Sequence, residues 1–272
     1  MKQLKFKGLL ATLALGVGLL VGCGSTEKSE SATNGDTGKS SEQEEFVYAM
    51  SGIYKPFNYK ENGELTGFDV ELGKALAEKM DMKAVPMTFP YESIIQGLLD
   101  DKFDAILGSM TVTEDRLKVV NFTDTYYRSG SQLFVAENNS EIQTAADAEG
   151  KIIGATPATN YEADALKLTA KENVITYAQG DVAALMDLKT KRLDAVVADN
   201  IFAQIAINEA NLPVKAVGDL LAVNEQAIAV NKNNEELVEK INKALAELIE
   251  DGTYAEISEK WFGFNLMDEK SK

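Results

Sequence analysis

One stretch constrains the fold more than any other: Phe103-Asp104-Ala105-Ile106-Leu107-Gly108-Ser109-Met110-Thr111-Val112-Thr113-Glu114-Asp115-Arg116. A short apolar run, Ala105 to Leu107, is bounded by Asp104 and by Gly108-Ser109, the pattern of a buried strand. Thr113 then reads as a helix N-cap, with Glu114 and Asp115 placing negative charge in the first turn. A strand that ends in small hydroxyl residues and runs into a helix start collects free backbone N–H groups. Arg116 follows one turn later, and its guanidinium fork suits a carboxylate. On this stretch alone it reads more readily as a solvated helix arginine paired with a neighbouring acid, because such pairs are common.

The unit has an echo. Lys102 to Ser109 aligns with Arg192-Leu193-Asp194-Ala195-Val196-Val197-Ala198-Asp199, which puts Ser109 and Asp199 at equivalent strand ends. Around each copy, strands and helices alternate. Strands are expected at Phe46–Met50, Val85–Phe89, Lys151–Ala155, Val174–Tyr177, Asp194–Ala198, Val214–Val217 and Gln226–Val230. Helices are expected at Asp69–Met80, Ser93–Leu99, Asn160–Ala170, Asp181–Leu188, Ile201–Glu209, Asn234–Glu250 and Tyr254–Phe262. The alternation predicts an α/β fold of two lobes, each a mostly parallel sheet flanked by helices. Ligands of open parallel sheets sit beyond the carboxyl ends of the strands. Facing lobes would place Arg116 and Ser109 on one side of a cleft and Asp199 on the other, an arrangement fit for a zwitterion. Asp199 serves equally as the N-cap of the helix that follows.

Composition removes whole classes of chemistry. The chain has no histidine, which excludes Ser-His-Asp and Cys-His nucleophile systems and histidine-bound metals. A net charge of −16 disfavours nucleic acid as a partner. Cys23 is the sole cysteine, so no internal disulfide is available. It follows a basic start (Lys2, Lys5, Lys7) and an apolar run from Gly8 to Val21. That run is short for a membrane span and fits a secretory signal. Leu20-Val21-Gly22-Cys23 resembles a bacterial lipobox, so residues 1–22 are expected to be a signal peptide, with Cys23 lipidated. Residues 23–45, rich in Ser, Glu, Thr, Gly and Lys, read as a flexible tether.

Further motifs complete a family resemblance: Lys55-Pro56-Phe57, Leu65-Thr66-Gly67-Phe68-Asp69-Val70-Glu71-Leu72, Phe122-Thr123-Asp124-Thr125-Tyr126-Tyr127, Asp251-Gly252-Thr253-Tyr254 and Lys260-Trp261-Phe262-Gly263. With the Phe103–Arg116 unit, and in this order, the chain from about residue 46 to 264 resembles the solute-binding proteins of polar amino-acid ABC transporters. The resemblance implies a periplasmic-binding-protein-like fold with two hinge crossings. Residues 46–132 and 229–272 would form lobe one and residues 133–228 lobe two, with crossings around Leu133-Phe134-Val135 and Ala227-Ile228-Ala229. It implies a monomeric, non-enzymatic receptor without a cofactor, anchored on the extracellular side of the cell membrane through Cys23. The receptor would capture a free polar amino acid and deliver it to a permease and its ATPase.

The resemblance also implies site roles. Arg116 and the Thr111 N–H would grip the ligand carboxylate, aided by N–H groups near Thr159 and Asn160. Asp199 would take the ammonium, with the Ser109–Met110 region offering acceptors. Tyr54 and Tyr91 would stack on the ligand side chain; otherwise they read as core aromatics. Ser51 and Thr156 stand where some relatives carry an acid and a lysine, which points to a neutral polar ligand, cystine or cysteine among them. Two alternatives share the fold: a cyclohexadienyl or arogenate dehydratase using Glu92 as proton donor, and a sensor or adhesion lipoprotein that does not transport.

Overall fold

The computed structural model describes residues 43–268. The expected signal peptide, Cys23 and almost all of the expected tether lie outside them. Among the described residues no helix is long and apolar enough to cross a membrane.

The chain opens with β1 (Glu45–Met50), whose inward residues Phe46, Tyr48 and Met50 are wholly buried. A small antiparallel sheet of β2 (Ile53–Tyr54), β3 (Asn58–Glu61) and β4 (Glu64–Thr66) follows, with β3 and β4 turned at Asn62-Gly63. Next come α1 (Phe68–Lys79), β5 (Lys83–Thr88), α2 (Ile94–Leu99) and β6 (Ala105–Ile106). Thr113 caps α3 (Glu114–Val119), its hydroxyl accepting from the Arg116 N–H at 3.2 Å. The next element, β7 (Val120–Ala136), is 17 residues long. A second α/β run holds β8 (Ile153–Ala155), α4 (Asn160–Leu168), β9 (Val174–Thr176), α5 (Asp181–Leu188), β10 (Ala195–Asp199) and α6 (Asn200–Ala210). Then β11 (Val214–Asn231) runs for 18 residues, and α7 (Glu235–Glu250) and α8 (Thr253–Phe262) close the chain.

The large sheet has eight strands in the order β5-β1-β6-β11-β7-β10-β8-β9. Its two outer portions are parallel: β1 pairs with β5 and β6, and β8 with β10 and β9. Between them β7 and β11 run antiparallel to each other along nearly their full length. The two short strands expected at Val214–Val217 and Gln226–Val230 are therefore one strand. The intervening residues Ala222 to Glu225 pair with Ser131 to Arg128, although their side chains lack a continuous apolar pattern.

Leu133 and Phe134 pair with Val197 and Val196 of β10, while Ala229 pairs with Ile106 of β6. The step from one parallel portion to the other falls between these pairs, across Arg128–Gly130 and Val223–Glu225. Register shifts flank it, between Val217 and Ala222 and again between Gln226 and Ala229. Such irregularities bend a ladder locally.

In the first lobe α1, α7 and α8 pack on one face. Leu237, Ile241, Leu245 and Leu248 of α7 are buried, as their spacing predicts. Gly73 lies in α1 where the Tyr48 ring crosses, and a Cβ there would stand 2.3 Å from a Tyr48 ring carbon. Alanine is the better helix former by about 1 kcal/mol. Overpacking outweighs that gain. Gly73→Ala is expected to destabilise the protein by ~1–3 kcal/mol, read as a lower urea midpoint at unchanged slope.

Candidate functional site

Between the lobes lies a cavity of about 280 Å³. The first lobe lines it with residues from three loops. They are Ser51, Ile53 and Tyr54 after β1, Pro90 to Glu92 after β5, and Gly108 and Ser109 after β6. The second lobe contributes Thr156, Pro157 and Thr159 after β8, Tyr161 of α4, and Ala178, Gly180 and Asp181 after β9. Every one of these loops leaves the carboxyl end of a parallel strand, where free N–H groups and helix starts converge.

Three contacts join the lobes around this cavity. Tyr54 stacks on Phe202 of α6 with ring centroids 4.1 Å apart and planes 7° from parallel. Lys55 forms an ion pair with Glu209 at 3.0 Å. The Arg116 guanidinium donates from Nη2 to the Ala158 carbonyl at 3.1 Å. The lobes are thus closed upon each other.

Arg116 is buried, on the first turn of α3. Its Nη1 donates to the Thr111 carbonyl at 2.7 Å, and its Nη2 also reaches the Tyr91 hydroxyl at 3.3 Å. Among the described residues it has no carboxylate partner. Its charge is held by neutral acceptors, of which Tyr91 stands on the cavity wall while Arg116 itself lies behind it.

Thr111 is likewise buried and donates to Gln226 at 3.0 Å, and Gln226 in turn donates to Ser129 at 3.0 Å. That chain links the Arg116 loop to the strands that cross between the lobes. Asn160, the first residue of α4, donates to Ser131 at 3.3 Å, on the same crossing strand. Thr159 lines the cavity while capping α4, its hydroxyl donating to the Thr156 carbonyl at 2.6 Å. Met110 takes a different position from the one expected. Its side chain is wholly buried with Ile94, Leu98 and Phe103, so only its backbone neighbours the site.

Two buried acids stand on the lobe-two side, and only one of them reaches the cavity. Asp199 is fully buried and caps α6. It accepts from the Phe202 N–H at 2.9 Å and from the Tyr161 hydroxyl at 2.9 Å. Its oxygens are thus spent within the protein, behind Tyr161. Asp181 lines the cavity itself. It is the first residue of α5, whose N-cap is Gly180, a residue with no side chain to cap with. Thr156 donates to one Asp181 oxygen. Burial pushes the Asp181 carboxyl up to about 6, the Thr156 hydrogen bond opposes this, and the charge of Asp199 adds to it. Burial likewise raises Asp199, against its several hydrogen bonds.

The sequence reading missed Asp181 as a site residue, although it placed the helix start there. The available signal was Gly180-Asp181, a helix opening with no capping oxygen and an acid at its first position. Besides Asp181, the cavity lining includes the carboxylate of Glu92 and no lysine or arginine.

A two-lobed α/β molecule with a small cavity between its lobes at the strand ends has the architecture of proteins that hold a small ligand between two lobes. The chain belongs to the bacterial extracellular solute-binding proteins, family 3, whose model matches residues 46–264. It is 31% identical over 237 residues to the L-cystine-binding protein TcyJ of Escherichia coli, covering 86% of this chain and 89% of that one. It is 32% identical over 277 residues to the probable amino-acid-binding protein YxeM of Bacillus subtilis, covering 99% of each. Among solved structures it resembles an ancestral arginine-binding protein bound to arginine, with a TM-score of 0.76 and 37% identity. That likeness covers 82% of this chain and all of the other. These relatives are binding proteins and not enzymes.

The raised Asp181 carboxyl has a measurable consequence for the ligand-free protein. A group raised on folding favours the native state most when protonated, so its contribution is full below about 4 and is lost as pH rises through about 6. Asp181→Asn lacks that loss. Its stability relative to the unsubstituted protein is expected to improve by roughly 3 kcal/mol between pH 4 and 7, read by urea denaturation at each pH.

Proposed function

We propose that this chain is the receptor of an ABC importer, capturing a polar amino acid between its lobes and handing it to a membrane permease served by an ATPase. The observation that carries the reading is the charge arrangement across the cavity. Arg116, a guanidinium with no carboxylate partner among the described residues, stands one hydrogen bond behind the first lobe's cavity wall, at Tyr91, and Asp181, a carboxylate on the wall itself, stands on the other lobe. An α-amino acid carries one anion and one cation a few ångströms apart, and it satisfies both. The names of the relatives, which bind cystine and arginine, lean the same way.

In this reading Arg116 grips the ligand carboxylate, with the Thr111 N–H and the α4 N-terminus at Thr159-Asn160 beside it. A carboxylate replaces the neutral Ala158 carbonyl as the acceptor for Nη2. Asp181 takes the ammonium, in place of the more remote Asp199. Ser51 and Ser109 supply further acceptors. Tyr54 and Tyr91 flank the ligand side chain, and Thr156 orients Asp181. A ligand bridging the lobes stabilises the closed state over the open one by its differential affinity, with the crossing segments at 128–130 and 223–225 as the hinge. The preferred ligand is a neutral polar amino acid, with L-cystine foremost. The protein works as a monomer on the extracellular face, anchored through a lipid on Cys23.

A thermal-shift screen of residues 24–272 against the amino acids and cystine tests the core of this reading. A ligand that binds only the folded state raises the melting temperature with concentration over affinity. One or more polar amino acids should give a saturable rise, and Arg116→Ala should abolish it while the protein stays folded by circular dichroism. A saturable rise that survives in Arg116→Ala would remove the carboxylate assignment. For the anchor, Cys23→Ser is expected to move the protein from the membrane fraction to the soluble fraction and to end incorporation of labelled palmitate.

A further inference from the structure

One buried carboxylate is left unused by the ligand reading. Asp69, on the first turn of α1, is wholly buried. It accepts from Asn58 Nδ2 at 2.6 Å, from the Tyr126 hydroxyl at 3.1 Å and from the Ser109 hydroxyl at 3.3 Å. Each partner continues to the cavity wall. Asn58 Oδ1 accepts from the Gly52 N–H at 2.9 Å and from the Ser51 hydroxyl at 3.0 Å. The Tyr126 oxygen accepts from the Ser109 N–H at 2.9 Å. Both Ser51 and Ser109 line the cavity.

The direction of these bonds follows from the chemistry of one group. An ionised carboxylate only accepts. Asn58 must therefore turn its NH₂ toward Asp69, which leaves its carbonyl oxygen for Gly52 and Ser51. Tyr126 must donate to Asp69, which leaves its oxygen for the Ser109 N–H. The Ser51 and Ser109 hydroxyls each spend their single proton inward. The Ser51 oxygen also accepts from the Ile53 N–H at 3.4 Å, so one lone pair there, with those of Ser109, remains for the cavity.

Ser109 also holds a left-handed backbone, with φ at 57°, a strained conformation for a non-glycine residue that its neighbours must maintain. The titratable groups that face Asp69 are the hydroxyls of Tyr48, Tyr126, Tyr127 and Tyr254, and among the described residues no cation bears on it.

We propose that Asp69, which does not line the cavity, is the positioning residue that presents the Ser51 and Ser109 oxygens as acceptors for donor groups of the ligand, its ammonium above all. This rests on the cavity being the amino-acid site. Burial pushes the Asp69 carboxyl up to about 7, against hydrogen bonds from Asn58, Tyr126 and Ser109. A proton there turns an acceptor into a donor and frees both branches to reverse. The network is therefore set above about pH 7 and relaxes as the pH falls below it.

The test follows the Gly52 and Ser109 amides of the ligand-free protein by ¹⁵N–¹H correlation spectra from pH 5 to 8.5. Both should move with one shared midpoint near 7, and Asp69→Asn should abolish that step while sparing any step near 6 that belongs to Asp181. Tyr126→Phe keeps the ring and carries the test should Asp69→Asn not fold. It should shrink the Ser109 step to what the Ser109 hydroxyl still senses of Asp69, retain that of Gly52, and weaken L-cystine binding at pH 7.5 by about tenfold, the worth of one hydrogen bond. Flat amides, unrelated midpoints, or steps that persist in Asp69→Asn would overturn the proposal, as would undiminished L-cystine affinity in Tyr126→Phe. Should the unsubstituted protein fail to bind L-cystine while both amide steps behave as expected, the network stands and the choice of ligand falls.

Discussion

The structure depends first on the pairing of two long strands. β7 and β11 hydrogen-bond along most of their length, each serving the first lobe at one end and the second lobe at the other. Their shared ladder makes eight strands one sheet and places the two parallel portions so that their carboxyl ends face a common cleft. It also supplies the joint. Register shifts interrupt the ladder near the step, so the bending falls where fewer regular hydrogen bonds oppose it. The crossing also ties into the site, since Ser129 and Ser131 of β7 are linked to Thr111 through Gln226 and to Asn160 directly. A change in lobe angle is thereby felt at both ends of the cavity.

Around that joint the two sides of the cavity solve different electrostatic problems. Arg116 is buried with carbonyl and hydroxyl acceptors only, a cation stabilised without a counter-charge. Asp181 and Asp199 lie buried in the opposite lobe, burial raising both carboxyls and the charge of Asp199 raising that of Asp181 further. Unpaired buried charge is expensive, and a protein that keeps it on both sides of a cleft gains most when one zwitterion answers both. The inter-lobe contacts Tyr54–Phe202 and Lys55–Glu209 add closure energy of their own, although the exposed ion pair contributes little.

Much of the fold was legible because local signals and tertiary outcome agree. Thr113 caps α3 as its sequence requires, Asp181 to Leu188 is a helix to the residue, and the apolar stripe of α7 is buried. The long strands were not legible. Arg128, Ser129, Ser131, Asn224 and Glu225 are polar and sit at the crossing, where Arg128 pairs with Glu225 and the buried Ser129, Ser131 and Asn224 join side-chain hydrogen bonds, so the alternation that marks a strand disappears. The site divided in the same way. Arg116 stood out through its spacing from a capped helix start, and Ser51, Tyr54, Tyr91, Ser109, Thr156 and Thr159 do line the cavity. Asp199 and Asp181, each an acid at a helix start, look alike in sequence.

The sequence alone determined the alternation of strands and helices, the absence of histidine chemistry and the membership of a two-lobed binding family. Those depend on local propensity, on composition and on ordered motifs, none of which needs distant parts of the chain. Only the tertiary structure decided which acid faces the cavity. A carboxylate at a helix start is a cap when the first-turn N–H groups and a neighbouring hydroxyl claim its oxygens, as Phe202 and Tyr161 do for Asp199. It remains open to a ligand when it sits one position later on a cavity wall, as Asp181 does. The difference is one of direction in space, and direction is fixed by packing between elements that lie far apart in the chain.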